Sequence, residues 1–277
     1  MMQGAILQLN VSDDPAANLR ETVGMLREAI AGGAELVLTP EVTNCISTSR
    51  THQQDVLQFQ DADITLAALR EEAKSAGIWL LIGSLGLKTD DADGRFANRS
   101  LMISPKGEIV AAYDKIHMFD VQINEAETWR ESDGYRPGDR AVFAQTDFAK
   151  IGMTVCYDVR FSHLYRALAK AGADILTVPA AFSPVTGAAH WHALLRARAI
   201  ESGCFVIAPA QTGTHASARN KTRDTYGHSL VIDPWGEVIL DAGTAPGVYK
   251  FDLDMEKVAE ARGKVPSLAN AREFSGP

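Results

Sequence analysis

Cys156, Glu41 and Lys115 are the residues of this chain whose types and placements could share one chemistry. Cys156 follows the apolar run IGMTV and precedes a helical pattern that begins near Arg160. A side chain on such a strand-to-helix turn is lifted to the C-terminal edge of a sheet, where α/β sites lie. The adjoining helix N-terminus would favour thiolate over thiol. Read alone, the segment fits a small buried core cysteine better than a nucleophile. Glu41 ends the run ELVLTPE at the same kind of strand end. A carboxylate delivered by an apolar strand needs a partner, although a solvated loop acid would read the same way. Lys115 closes IVAAYDK ahead of Ile116, His117, Met118 and Phe119, and alone it would be a solvated charge. Together the three are chemically complete. A thiol attacking an amide or nitrile carbon needs a base for its proton, and a carboxylate shielded from water can have its pKa raised enough to serve. The tetrahedral oxyanion then needs a fixed positive charge or N–H donors. Lys115 would supply the charge, and the backbone N–H of Tyr157 a donor. That chemistry needs no metal and no cofactor.

The elements that must position these residues follow from pattern. The chain has 277 residues, 46% hydrophobic and 22% charged, which excludes wholesale disorder and leaves room for a sizeable core. Lys and Arg number 27 against 35 Asp and Glu, a net charge of −8. That balance argues against nucleic acid or an anionic membrane as partner. No apolar run has the length of a membrane span, and MMQGAILQLN does not read as a signal peptide. Three cysteines, Cys45, Cys156 and Cys204, make no disulfide framework, so a reducing cytosol is expected. Apolar runs predict strands over 4–9, 35–39, 79–85, 100–104, 109–113, 151–155, 174–178, 204–208, 228–232 and 238–240. Helical periodicity predicts helices over 18–31, 64–76, 161–171, 188–202 and 255–262. The order repeats: GGAELVLTP in the first half and KAGADILTVP in the second occupy equivalent places, and each half closes on a hairpin, at 105–108 and 233–236. Two such α/β units most simply stack their sheets face to face with helices outside, a four-layer α-β-β-α sandwich. The three candidates then fall at strand ends drawn from both halves.

The segments TPE at 39–41, YDKIHMFD at 113–120, GMTVCYDVRF at 152–161, AHWHALLRARAIE at 189–201 and YGHSLVIDPWGEV at 226–238 resemble the signature blocks of the nitrilase, or carbon–nitrogen hydrolase, superfamily. The resemblance runs in order over nearly the whole chain. It implies the same sandwich, a single carbon–nitrogen hydrolase domain over 1–277, and assembly into homodimers or larger homo-oligomers. It implies Glu41 as general base, Lys115 as oxyanion-stabilising lysine and Cys156 as nucleophile. It also places the family's second active-site glutamate at Glu131, in ESDGYRPG, where it would hold Lys115 and assist the leaving amine. SPVTGAAHWHALLRARAIE and APAQTGTH point to the branch of amidases acting on deaminated glutathione and ω-amides. The reaction implied is hydrolysis of a small acidic amide through a Cys156 thioester. The alternatives are an ω-amidase on α-ketoglutaramate or α-ketosuccinamate, an N-carbamoyl amino acid hydrolase, and a catalytically idle scaffold homologue. The last is disfavoured by the presence of all four residues.

Further residues carry weaker expectations. Tyr157, Arg160, Phe182 and His190 are candidate substrate contacts. Asp158 would brace the turn by holding backbone or Arg160. The stretch 216–224, ASARNKTRD, is basic in an acidic protein, so Arg219, Lys221 or Arg223 could meet a substrate carboxylate, although any one of them also reads as a solvated loop residue. The segment 121–130, VQINEAETWR, fits no assignable pattern. His190 and His192 are two apart on a helix and cannot chelate as an i, i+4 pair does. The glycines lack a phosphate-cradling arrangement, so nucleotide binding is not expected.

Overall fold

In a computed structural model, residues 1–123, 125, 128–218 and 222–276 are described. The first half contains β1 (Met2–Gln8), α1 (Pro15–Ala31), β2 (Leu36–Leu38), α2 (Arg50–Val56), α3 (Ile64–Ala76), β3 (Trp79–Leu87), β4 (Ala97–Ile103), β5 (Ile109–Asp114) and the ribbon of β6 (Asp120–Gln122) and β7 (Thr128–Arg130). The second contains β8 (Val142–Gln145), β9 (Lys150–Met153), α4 (Ser162–Lys170), β10 (Ile175–Thr177), α5 (Pro184–Ser202), β11 (Phe205–Ala208), β12 (Thr212–His215), β13 (Arg223–Tyr226), β14 (Leu230–Ile232), β15 (Val238–Asp241), β16 (Gly247–Leu253) and α6 (Glu256–Lys264).

The strands build two six-stranded sheets, ordered β16-β1-β2-β3-β4-β5 and β8-β9-β10-β11-β14-β15. In each, three central parallel strands are flanked by antiparallel ones. The two orders match strand for strand, which is the repeat read in the sequence. The match is permuted, because β8 directly precedes its partner β9 whereas β16, its counterpart, comes from the other end of the chain. Neither edge strand was expected from the sequence. VFAQ is short, and GVYKFDL carries Lys250 and Asp252, as a strand with one solvated side does.

Side chains on the first sheet alternate as a buried pleat requires. Ala5, Leu7, Val37, Leu80, Ile82, Leu101 and Ile103 pack on one face against Leu26 and Ala29 of α1 and Leu66, Leu69 and Ala73 of α3. Ile6, Leu36, Leu38, Leu81 and Met102 join the core shared with the second sheet, whose outer helices contribute Leu164, Tyr165, Trp191 and Leu195. These layers are the expected α-β-β-α order. Helix limits follow cap chemistry. Asp14 accepts the Ala16 and Ala17 N–H groups ahead of Pro15, so α1 starts three residues before the expected position. Gly77 and Gly203, both with positive φ, end α3 and α5.

Buried amides stitch the sheets together at the edge that carries the site. Gln211 donates to the Glu41 carbonyl at 3.0 Å, and Gln8 accepts from both the Ser229 backbone N–H and its hydroxyl at 2.8 Å. Gly83 on β3 lies under the Thr39–Pro40 backbone; a Cβ there would overlap both carbonyl oxygens and the Pro179 ring.

Candidate active site

Cys156 stands on a sharp turn. Val155 is extended, Cys156 has φ +50°, and a 3-10 turn over Cys156–Arg160 follows before α4. Asp158 braces it from below: its carboxylate accepts the Val155 N–H at 2.8 Å, the Tyr113 hydroxyl at 2.7 Å and both the backbone N–H and Nδ1 of His117 at 3.0 and 2.7 Å. The expected backbone contact exists. Asp158 forms no ion pair with Arg160, because Tyr113 and His117 already saturate its oxygens.

Glu41 leaves β2 next to Val42, another non-glycine residue with positive φ. Lys115 leaves β5, and its ammonium reaches Glu41 Oε1 at 3.0 Å and the two Glu131 oxygens at 2.9 and 2.7 Å. Glu41 Oε1 also accepts from Asn98 Nδ2 at 2.9 Å, and Oε2 from the Ala181 N–H at 2.8 Å. The Cys156 thiol borders the same cavity and lies in the fields of the Glu41 and Lys115 charges. Glu131 is fixed on its other side by the Phe119 N–H at 2.6 Å. The acid, cation and sulfur expected to meet do meet, and Glu131 joins them.

The electrostatics correct two expectations. Burial pushes the Glu41 carboxyl up, but the Lys115 charge, the Arg223 charge and the hydrogen bond from Lys115 outweigh it and hold the group below its ordinary range. Glu41 is therefore an ionised base and not the raised carboxyl anticipated. Burial and then the Glu41 charge push the Cys156 thiol well up against the pull of Lys115, so the resting sulfur is a thiol and not a thiolate. Lys115 stays charged: burial lowers it, but the Glu131 and Glu41 carboxylates raise it further. Burial also pushes Cys45 up to about 12 and Cys204 to about 11. Of the three thiols, Cys156 is the one that shares a cavity wall with both Glu41 and Lys115.

A cavity of about 510 Å³ opens over these groups, lined by Glu41, Lys115, Glu131 and Cys156, by Phe182, and by Arg50, Arg130 and Arg223. Arg223 donates to the Ala181 carbonyl at 2.6 Å and stacks over Trp129 at 4.9 Å. Of the candidate substrate contacts, Phe182 and Arg223 reach this wall. Tyr157, Arg160 and His190 form a layer behind it: Arg160 lies over the Phe182 and Tyr157 rings and donates to His190 Nδ1 at 3.2 Å. Arg219 and Lys221 lie outside the described residues. The unassigned segment 121–130 supplies β6 and β7, which bring Thr128, Trp129 and Arg130 to the cavity. Sequence reading missed Asn98, whose amide bridges Glu41 and Glu131 (3.3 Å to the latter), and the Ala181 N–H. Asn98 heads the polar run Asn98-Arg99-Ser100 at the start of a strand, so nothing marked it off from an ordinary strand-end residue.

Solved structures share this architecture. The C. elegans NitFhit protein superposes with a TM-score of 0.89 at 33% identity, over 98% of this chain and 65% of that one. Saccharomyces cerevisiae Nit3, described as a member of branch 10 of the nitrilase superfamily, gives 0.83 at 26% identity, over 96% and 94%. The fold is thus that of the nitrilases. The profile of the carbon-nitrogen hydrolase family matches residues 4–263, and a deaminated glutathione amidase of Yersinia enterocolitica is 37% identical over 272 residues, 98% of this chain and 93% of its own. The chain belongs to the carbon–nitrogen hydrolase family.

Proposed function

We propose that residues 1–277 act as one amidohydrolase domain in which Cys156 is the nucleophile, Glu41 the general base, Lys115 the oxyanion-stabilising cation and Glu131 the residue that holds Lys115 and assists the departing amine. The observation that carries this reading is the buried Lys115 ammonium bonded to both carboxylates, with the Cys156 thiol bordering the same cavity. Cys156 passes its proton to Glu41 as the sulfur bonds to the amide carbon, so no free thiolate need accumulate. The oxyanion forms beside Lys115. Collapse breaks the C–N bond, the amine leaves with the proton from Glu41, and a thioester remains. Water then gives a proton to Glu41 and attacks the thioester. The second collapse releases the acid, and the proton returns to sulfur.

Three arginines on the cavity wall support an acidic amide as substrate, and the named relative supports deaminated glutathione ahead of α-ketoglutaramate or a carbamoyl amino acid. Among the described residues no helix is long and apolar enough to cross a membrane. Three unpaired cysteines suit a cytosolic setting, and homodimers or larger homo-oligomers are the expected assembly. Presenting the three amides side by side tests the substrate. Release is expected fastest from deaminated glutathione and absent in Cys156→Ala. Preference for α-ketoglutaramate would make the enzyme an ω-amidase, and no turnover of any amide would favour the idle scaffold. Arg223→Ala is expected to lower kcat/KM on the acidic amide by roughly 10–100-fold, the value of a lost charge-assisted hydrogen bond. Unchanged kinetics would exclude Arg223 as the carboxylate anchor.

A further inference from the structure

We propose that His192, His228 and Asp241 form a binding site for a divalent transition metal of the zinc class, apart from the cavity at Cys156. The three residues come from separate elements: His192 from α5, His228 from the approach to β14, and Asp241 from the end of β15. None of them lines the cavity around Cys156. Their ligand atoms all lie within 4.8 Å of one another, the one such trio among the described residues. His192 Nε2 is 3.0 Å from Asp241 Oδ2, and His228 Nδ1 is 2.9 Å from Oδ1 and 3.2 Å from Oδ2. Zinc takes imidazole nitrogen and carboxylate oxygen at about 2.0–2.2 Å in a tetrahedral array, whose ligand–ligand edges are then about 3.3 Å. An ion needs a few tenths of an ångström of opening at the two nitrogen–oxygen edges, and the edge between the two histidine nitrogens, within 4.8 Å, has to settle near that length by ring rotation. It would replace the protons that bridge each ring to the carboxylate. The side chains of His192 and Asp241 are 37% and 36% exposed, which leaves an open side for water as fourth ligand.

A second observation concerns the backbone. Among the described residues three non-glycine ones adopt positive φ: Cys156, Val42 beside Glu41, and His228 at +52°. Two flank the candidate chemistry, and conformations of this kind persist where the surroundings hold them. His228 is held on several sides. Its N–H donates to the Gly243 carbonyl at 2.6 Å, its carbonyl accepts from Trp191 Nε1 at 2.8 Å, and Tyr226 stacks on its ring at 4.6 Å. Asp241 is aimed by the Gly243 N–H at 2.9 Å. The His228–Asp241 half of the trio is therefore oriented before any ion arrives.

The test uses untagged full-length protein stripped with chelator. Calorimetric titration with zinc is expected to show one equivalent bound by wild type and by Cys156→Ser, with affinity at least tenfold weaker in His192→Ala and His228→Asn. Asparagine is chosen at 228 because it tolerates positive φ. Near-UV circular dichroism in chelator checks that each variant is folded, and Asp241→Asn provides a third reading. Cobalt absorption of the wild type should show nitrogen- and oxygen-ligand bands without a thiolate charge-transfer band. Equal affinity in the histidine variants, no uptake by wild type, or a thiolate band lost in Cys156→Ser would overturn the proposal.

Discussion

At the scale of single residues, the site's protonation pattern follows from which charges are buried together. Glu41 is ionised because Lys115 and Arg223 overcome its burial, and Cys156 is a thiol because it is buried and the Glu41 charge adds to that effect. This arrangement predicts the acid limb of the rate profile. A base must be ionised to act, and Glu41 titrates below its ordinary value of 4.5, so kcat/KM should hold level down to about pH 5 and fall only beneath that value. Stability follows the same sign. A depressed carboxylate stabilises the fold fully above its unfolded pKa and loses that contribution as pH falls through the folded one. A limb centred at pH 6 to 7, unchanged in Glu41→Asp, would exclude Glu41 as the titrating base. Glu41, Lys115 and Cys156 were legible only as a set, each closing a strand and together supplying base, cation and nucleophile, whereas Glu131 was legible only through family resemblance. Asn98 was not, because an amide's value here lies in facing two carboxylates from segments far away in the chain. The directions of the pKa shifts were misjudged for a related reason: burial can be read from an apolar run, but the distance to Lys115 cannot.

At the scale of elements, two devices hold the site's walls. Gly83 leaves room for the Thr39–Pro40 backbone that delivers Glu41. Gly83→Ala would force β2 and β3 apart; a loss of about 1–3 kcal/mol in urea unfolding and a larger proportional loss of activity are expected. His215 secures the ribbon of β12 and β13, which carries Arg223. Its Nδ1 donates to the Val11 carbonyl at 2.6 Å, so Nε2 accepts from the Thr225 hydroxyl at 2.7 Å. Burial first, and Arg223 further, push its pKa from 6.5 to about 4 despite the Val11 bond. The unfolded chain thus binds a proton that the folded one refuses. This residue's contribution is whole above pH 6.5 and is lost as pH falls through about 4, at most about 3 kcal/mol. Unfolding midpoints at pH 7 and 5 should differ less in His215→Gln than in wild type. The main strands and helices were legible from periodicity. The ribbons of β6 with β7 and β12 with β13 were not, because their polar sequences pair locally and bury little.

At the scale of the whole molecule, the stacked sheets were predictable because the two halves repeat one order of elements, but the exchange that completes them was not. GVYKFDL lacks the strong apolar signal of a central strand, and its partner β1 is the most distant strand in the sequence. All seven residues of β1 pair with β16. A chain stopped after Asp241 is expected to lose that pairing, bare the backbone edge of Met2–Gln8 and move to the insoluble fraction, as measured by sedimentation after expression. Full solubility and wild-type protease resistance would show that β16 is dispensable.

That pairing also sets a timetable for synthesis. The second layer can assemble as soon as β15 clears the ribosome, while the first waits, one border unfinished, for residues 247–253 to emerge. Once β1 has paired with β2, its other border has no partner on this chain until the last strand is made, which is the kind of open margin that invites association between chains.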